Sequence, residues 1–139
     1  MALKFHPNPG TILVCKYEPG FVEPEMVKTR PVIVITPRLR NRDGLCTVVP
    51  LSLTEPSPVQ NYHCLVQLGV TLPHPWNGNE GWAKADMLAT VGFHRLDLIR
   101  LGKDHEGKRK YLQRTIAADQ LRLIQTCVLH ALNLGHLTI

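Results

Sequence analysis

The sequence predicts a β-rich fold, a small and strongly bent barrel or sheet, finished by one C-terminal helix. Three observations carry this. All eleven prolines fall between Pro7 and Pro75; proline punctuates strands and turns but is excluded from helix interiors, so the front of the chain reads as strand and the back is open to helix. Four short runs rich in Val, Ile, Leu and Thr, separated by Pro, Gly, Asn and Asp, supply the strands. Near the C-terminus Leu121, Ile124, Val128 and Leu132 recur at intervals of three and four residues.

In chain order, the strands are expected at Thr11 to Tyr17, Pro31 to Thr36, Leu45 to Leu51 and Tyr62 to Leu68. Pro31 opens its strand, where a missing amide donor is tolerated. Arg42-Asp43-Gly44 is a turn sequence, because Gly supplies positive φ at little cost, and it joins the second and third strands as a hairpin. Glu55 to Gln60 and Pro73 to Glu80 have loop composition, Gly102 to Lys110 reads as a charged loop, and Trp82 to Leu88 and Tyr111 to Thr115 are weaker strands. Ala118 to Leu134 is an amphipathic helix with Gly135 as its stop.

A chain of 139 residues and 15.6 kDa suits one domain spanning residues 1–139. Its 44% hydrophobic and 19% charged residues exclude wholesale disorder. No stretch reaches the roughly 18 consecutive apolar residues of a membrane span, and Lys4, His6 and Pro7 interrupt any N-terminal secretory segment, so a cytoplasmic location is expected. Cys15, Cys46, Cys64 and Cys127 are scattered in apolar settings and read as buried free thiols. The histidines show no ligand spacing, so neither a metal nor another cofactor is expected.

The net charge of +5 is unevenly placed. Glu18, Glu23 and Glu25 make an acidic stretch, Lys28, Arg30, Arg38, Arg40 and Arg42 follow without an acid among them, and Arg95 to Arg114 forms a second basic block. That clustering suits a polyanionic partner as well as an ordinary solvated surface.

Four segments, in order, carry a resemblance: Pro9-Gly10-Thr11-Ile12-Leu13-Val14, Lys28-Thr29-Arg30-Pro31-Val32-Ile33-Val34-Ile35-Thr36-Pro37, Val48-Val49-Pro50-Leu51-Ser52 and Trp82-Ala83-Lys84-Ala85-Asp86-Met87. Together they resemble the MazF/PemK family of toxin endoribonucleases from bacterial type II toxin-antitoxin systems. The resemblance implies an SH3-like β-barrel of the MazF/PemK/CcdB type with a C-terminal helix, a homodimer, and a cognate antitoxin as partner. It also implies metal-independent cleavage of single-stranded mRNA through the ribose 2′-hydroxyl, leaving a 2′,3′-cyclic phosphate and a 5′-hydroxyl. Arg30 matches the family's catalytic arginine, Ser52 its Thr or Ser after the Val-Pro motif, Glu25 an assisting glutamate, and Asp86 and Lys84 an Asp and a basic residue that some members use. Pro24 stands where some members carry a histidine, so no histidine is assigned.

The residue types suit that chemistry. Attack by a 2′-hydroxyl needs a base, an acid for the leaving oxygen and donors for charge on the phosphate. Arg30 offers a planar, permanently charged fork to two phosphate oxygens. Ser52 can orient a phosphate or hydroxyl by hydrogen bonding, or else only cap its strand; Glu25 or Asp86 can act as the base, and the sequence does not choose between them. Lys28, Lys84, Arg38 and Arg40 are expected to hold phosphates. Trp82, opening a strand, reads as core and Trp76, between Pro75 and Asn77, as a base-stacking ring. The competing readings are a CcdB-like toxin that poisons gyrase by binding through the end of its terminal helix, and a catalytically silent barrel used to bind RNA or protein.

Overall fold

The structure, a computed structural model, describes residues 3–137. Three antiparallel strands, β1 (Ile12–Cys15), β2 (Arg30–Val34) and β3 (Leu45–Ser52), form its centre. Then come β4 (His63–Gln67) and β5 (Glu80–Lys84), a 3-10 turn at Ala85–Met87, β6 (Ala89–Gly92), a second 3-10 turn at Phe93–Arg95, and β7 (Leu96–Asp97). A separate hairpin of β8 (Arg100–Lys103) and β9 (Arg109–Tyr111) precedes helix α1 (Ala118–Ala131).

The main sheet runs β4-β5-β3-β2-β1-β7, with β6 also on β3. β3 holds β2 on one edge while its other edge serves β6 along Leu45 to Val48 and β5 at Leu51 and Ser52. Pro50, which has no amide to donate, sits in the gap between those two partners, where the sheet can bend without stranding a buried donor. The segment from β6 to β7 crosses from β3 to β1, but the turn at Phe93–Arg95 interrupts the ladder. The expected SH3-like barrel is therefore corrected to a bent sheet that is not closed.

Alternation along the central strands divides the interior in two. Ile12, Ile33 and Val49 face a core shared with Leu68, Ile99 and Ile124, whereas Leu13, Val32, Val34 and Val48 face one shared with Tyr17, Met26 and Leu96. Both faces are covered, which is why these strands read as continuous apolar runs. Each large aliphatic side chain buried there contributes on the order of 1.5–3 kcal/mol of transfer free energy.

Helix α1 packs on β4 and buries Ile124 and Cys127. It ends three residues before the expected Leu134: Asn133 takes the left-handed conformation at φ 60°, leaving Leu132 exposed. The two residues at the very end, Thr138 and Ile139, lie outside the described residues. Two other expectations shift. The strand expected at Trp82 to Leu88 stops at Lys84 and tightens into the 3-10 turn that carries Asp86. The Gly102 to Lys110 stretch, read as a loop, is most of the β8–β9 hairpin: Asp104 Oδ1 accepts from the Glu106 and Lys108 amides at 2.8 and 3.0 Å, and Gly107 turns the chain at φ 81°. All four cysteines are free, and Cys15, Cys46 and Cys127 are buried. Among the described residues, no helix is long and apolar enough to cross a membrane.

Candidate active-site groove

The loop from β1 to β2 folds over one end of the sheet and is pinned there. Val22 N–H donates to Glu25 Oε1 at 3.0 Å while Glu25 N–H donates to the Val22 carbonyl at 2.9 Å, a reciprocal pair that closes the acidic segment on itself. Arg95 Nη1 donates to the Lys16 and Tyr17 carbonyls, and its guanidinium lies 4.9 Å over the Phe21 ring. Met26 then drops into the core. Opposite the loop, the turn after β5 presents Asp86. Between them lies a groove of about 600 Å³, with Glu25 and Met26 on one wall and Asp86, Met87 and Leu88 on the other.

Arg30 opens β2 at the margin of this groove. It is half-buried, and its Nε donates to Met26 Sδ at 3.1 Å. Among the described residues, no hydrogen bond or ion pair engages its two terminal amino groups, so the fork remains available to an anion. Among the described residues, the buried Tyr17 hydroxyl beneath the groove has no hydrogen-bond partner; the Cys15 thiol faces it, short of hydrogen-bond geometry. Burial first, and then the Cys15 thiol, hold this phenol well above the ordinary tyrosine range, while the charge of Arg30 opposes them.

Ser52 is buried, and its Oγ both donates to the Thr54 carbonyl and accepts the Thr54 amide, each at 3.2 Å. The hydroxyl thus caps the end of β3. It is nevertheless at the level of Arg30: β2 pairs with β3 through Ile33–Val49 and Val32–Pro50, and two residues further that register sets Arg30 opposite Ser52. Lys84, half-buried at the end of β5, is paired in register with His63 on β4.

His63 is the residue the sequence reading left out. Its Nδ1 accepts the Gln60 amide at 3.0 Å, which leaves the proton of the neutral ring on Nε2, 4.0 Å from Asp86 Oδ1. The imidazole is almost fully enclosed while Asp86 is open to the groove. Only the β4–β5 register brings His63 beside Lys84 and the Asp86 turn. A composition scan for metal-type spacing has no means of finding it.

The remaining sequence-chosen residues separate. Lys28 is exposed on the loop just before Arg30. Arg38 and Arg40 are exposed on the β2–β3 hairpin, at the other end of β2, where Arg38 pairs with Asp43 at 3.9 Å. They are not brought to the groove. The two tryptophans exchange their expected places: Trp76 packs against the core, whereas Trp82 belongs to neither core and lies half-buried on β5, directly across from Ser52. The turn in which the Trp76 amide donates to the Pro73 carbonyl at 3.0 Å sets this ring half-buried against the core.

Comparison with known proteins bears on the fold and the family. The chain is 27% identical over 151 aligned residues to the uncharacterized protein YifN of Escherichia coli strain K12, with 96% of each chain covered. Its fold is similar to an endoribonuclease in complex with its cognate antitoxin from a Mycobacterial species (TM-score 0.60, 20% identity, 93% of this chain and 97% of that one). It is similar, too, to MazF from Deinococcus radiodurans (TM-score 0.58, 19% identity, 94% and 99% covered). Residues 8–132 match the family of PemK-like, MazF-like toxins of type II toxin-antitoxin systems, and with the match covering nearly the whole chain, the chain belongs to that family.

Proposed function

We propose that the chain is an endoribonuclease toxin that cuts single-stranded mRNA in the cytoplasm without a metal, by attack of a ribose 2′-hydroxyl on the adjacent phosphate. The observation that supports this best is the juxtaposition at one groove: two carboxylates, Glu25 and Asp86, on facing walls, and Arg30 held at its margin through Met26 with both terminal amino groups unengaged. The substrate brings its own nucleophile, so the chain needs to supply only a base, an acid and cationic donors.

Glu25 already spends a carboxylate oxygen on the Val22 amide, whereas Asp86 faces the groove with His63 behind it. Asp86 therefore takes the 2′-proton as the new O–P bond forms, and His63 Nε2–H orients it. Arg30, with Lys28 at the loop, stabilises the charge that gathers on the non-bridging oxygens. The P–O5′ bond breaks, and Lys84, two residues before Asp86, is the donor the chain offers to the leaving 5′-oxygen. The products are a 2′,3′-cyclic phosphate and a 5′-hydroxyl. Ser52 acts through the Thr54 turn beneath this site, and Trp82 replaces Trp76 as the base-stacking ring.

A cognate antitoxin would neutralise the toxin by laying an acidic segment over the same cations, and the exposed Leu123, Leu132, Leu134 and Leu137 at the helical end suit a homodimer or antitoxin contact. Incubation with a long single-stranded RNA in EDTA tests the activity. Cleavage is expected, reduced on the order of 100- to 1,000-fold in Arg30→Ala. Intact RNA with the wild-type protein would refute the reading, and equal cleavage by Arg30→Ala would remove Arg30 from the site.

A further inference from the structure

At the other end of β2 the chain builds a second concavity that the cleavage chemistry does not use. Residues 3–6 run beside the tip of the β2–β3 hairpin and enclose a cleft of about 370 Å³. Its walls are fixed from both sides: Leu3 N–H donates to the Leu96 carbonyl at 3.3 Å, and Phe93 N–H to the Gly44 carbonyl at 2.9 Å. Among the described residues, three cations, Lys4, Arg38 and Arg42, border it against one carboxylate, Asp43, which is 92% exposed and only 3.9 Å from Arg38. Three rings border it too. His6 and Phe93 meet edge to face with centroids 5.8 Å apart, and Phe5 stands 62% exposed among the cations.

An aromatic ring left in water beside cations, with little acid to neutralise them, matches a ligand that is flat and apolar on one face and anionic along its edge. A nucleotide of a single strand has both properties: its base stacks on the ring and its phosphates meet Arg and Lys. An acidic peptide satisfies the cations but leaves Phe5 uncovered.

We propose that the cleft formed by Lys4, Phe5, His6, Arg38, Arg42 and Phe93 is a second subsite for single-stranded RNA, holding a stretch of the strand outside the cleavage groove. This rests on the RNA-cleaving reading for its substrate class. β2 alone spans about 13 Å from Arg30 to Val34 at roughly 3.3 Å per residue, and the hairpin lies beyond it. A strand of a few nucleotides occupies one site, and only a longer one reaches both.

The test uses 2′-O-methyl RNA, which lacks the attacking hydroxyl and is read by binding alone. Wild-type protein is expected to bind an RNA of about twelve nucleotides at least tenfold more tightly than one of about four. Phe5→Ala with Arg42→Gln is expected to lose that gain and to lower the salt slope by about 0.7. In Phe5→Trp the emission of the new indole, taken as the difference from wild type with its Trp76 and Trp82, is expected to be quenched by the long RNA, also when Arg30→Ala is added. An undiminished length dependence in the double variant would overturn the subsite, as would a Phe5→Trp indole indifferent to RNA or one that responds only to polyglutamate. Cleavage in EDTA without these effects sinks the cleft alone; quenching without cleavage sinks the nuclease and keeps the cleft.

Discussion

The two ends of strand β2 are built from the same residue types to opposite ends. At its start, Arg30 is half-buried and tethered to Met26, which lines a groove together with Glu25 and Asp86. At its finish, Arg38, Arg40 and Arg42 are exposed, and the acid among them, Asp43, is nearly all in solvent. An arginine held in place beside a groove that carries carboxylates can meet a charge that develops during a reaction, whereas exposed cations beside rings can only hold a charge that already exists. Net charge alone does not separate the two ends. Burial and partners do.

The strongest way to break the contrast is at Asp86. If the groove end carries the chemistry, Asp86→Asn is expected to lower the single-turnover cleavage rate by about 100- to 10,000-fold, the range of a positioned general base. Glu25→Gln keeps an oxygen for the Val22 amide and is expected to cost less than about tenfold. Reversal of that order, measured on the same RNA, would move the base to the loop. His63→Ala should fall between them, with a KM close to wild type, because it acts through Asp86 rather than on RNA.

A smaller effect is expected between the tryptophans. Trp82→Ala should weaken RNA binding by about 1–3 kcal/mol with little loss of fold, since Trp82 lies outside both cores. Trp76→Ala should do the reverse and lower the urea midpoint, since Trp76 packs on the core. Smaller again is Ser52→Ala. Its hydroxyl holds the Thr54 turn through two bonds, so a stability loss of about 1 kcal/mol is expected, with cleavage changed less than tenfold.

How far these sites could be read from sequence follows from how local each signal is. Thr11 to Tyr17, Pro31 to Thr36 and Leu45 to Leu51 announced themselves because β-branched runs bounded by Pro and Gly describe single strands, and Arg42-Asp43-Gly44 describes a turn by its own φ requirement. Arg30 was singled out by its match to the family's arginine at the head of such a run, and it does open β2. His63 beside Asp86 was not, because that neighbourhood exists only after β4 has paired with β5. Trp76 and Trp82 were exchanged because exposure depends on where a loop folds back, which Pro-rich composition does not specify. The β8–β9 hairpin was hidden by charge: Lys103, Lys108, Arg109 and Lys110 look like a solvated loop, and its pairing depends on the Asp104 turn.

The interior offers the last comparison, where the two ends of β2 should look alike. Cys15 lies opposite Arg30 in register, at the groove end, and Cys46 lies on β3 near the hairpin. Burial pushes both thiols up from 9.0 to about 11. A raised acid pKa means the folded state keeps its proton where the unfolded chain has released it. The associated stability is complete below about pH 9 and is lost as pH rises towards 11, at up to about 1.4 kcal/mol per pH unit for each thiol. Urea midpoints taken at about pH 8 and pH 10.5 should therefore fall more in wild type than in Cys15→Ala or Cys46→Ala, and by similar amounts for the two substitutions. Equal slopes would show that the ends differ only in what they expose. A larger relief from Cys15→Ala would show that the Tyr17 phenol facing it extends the chemical asymmetry of the groove into the core.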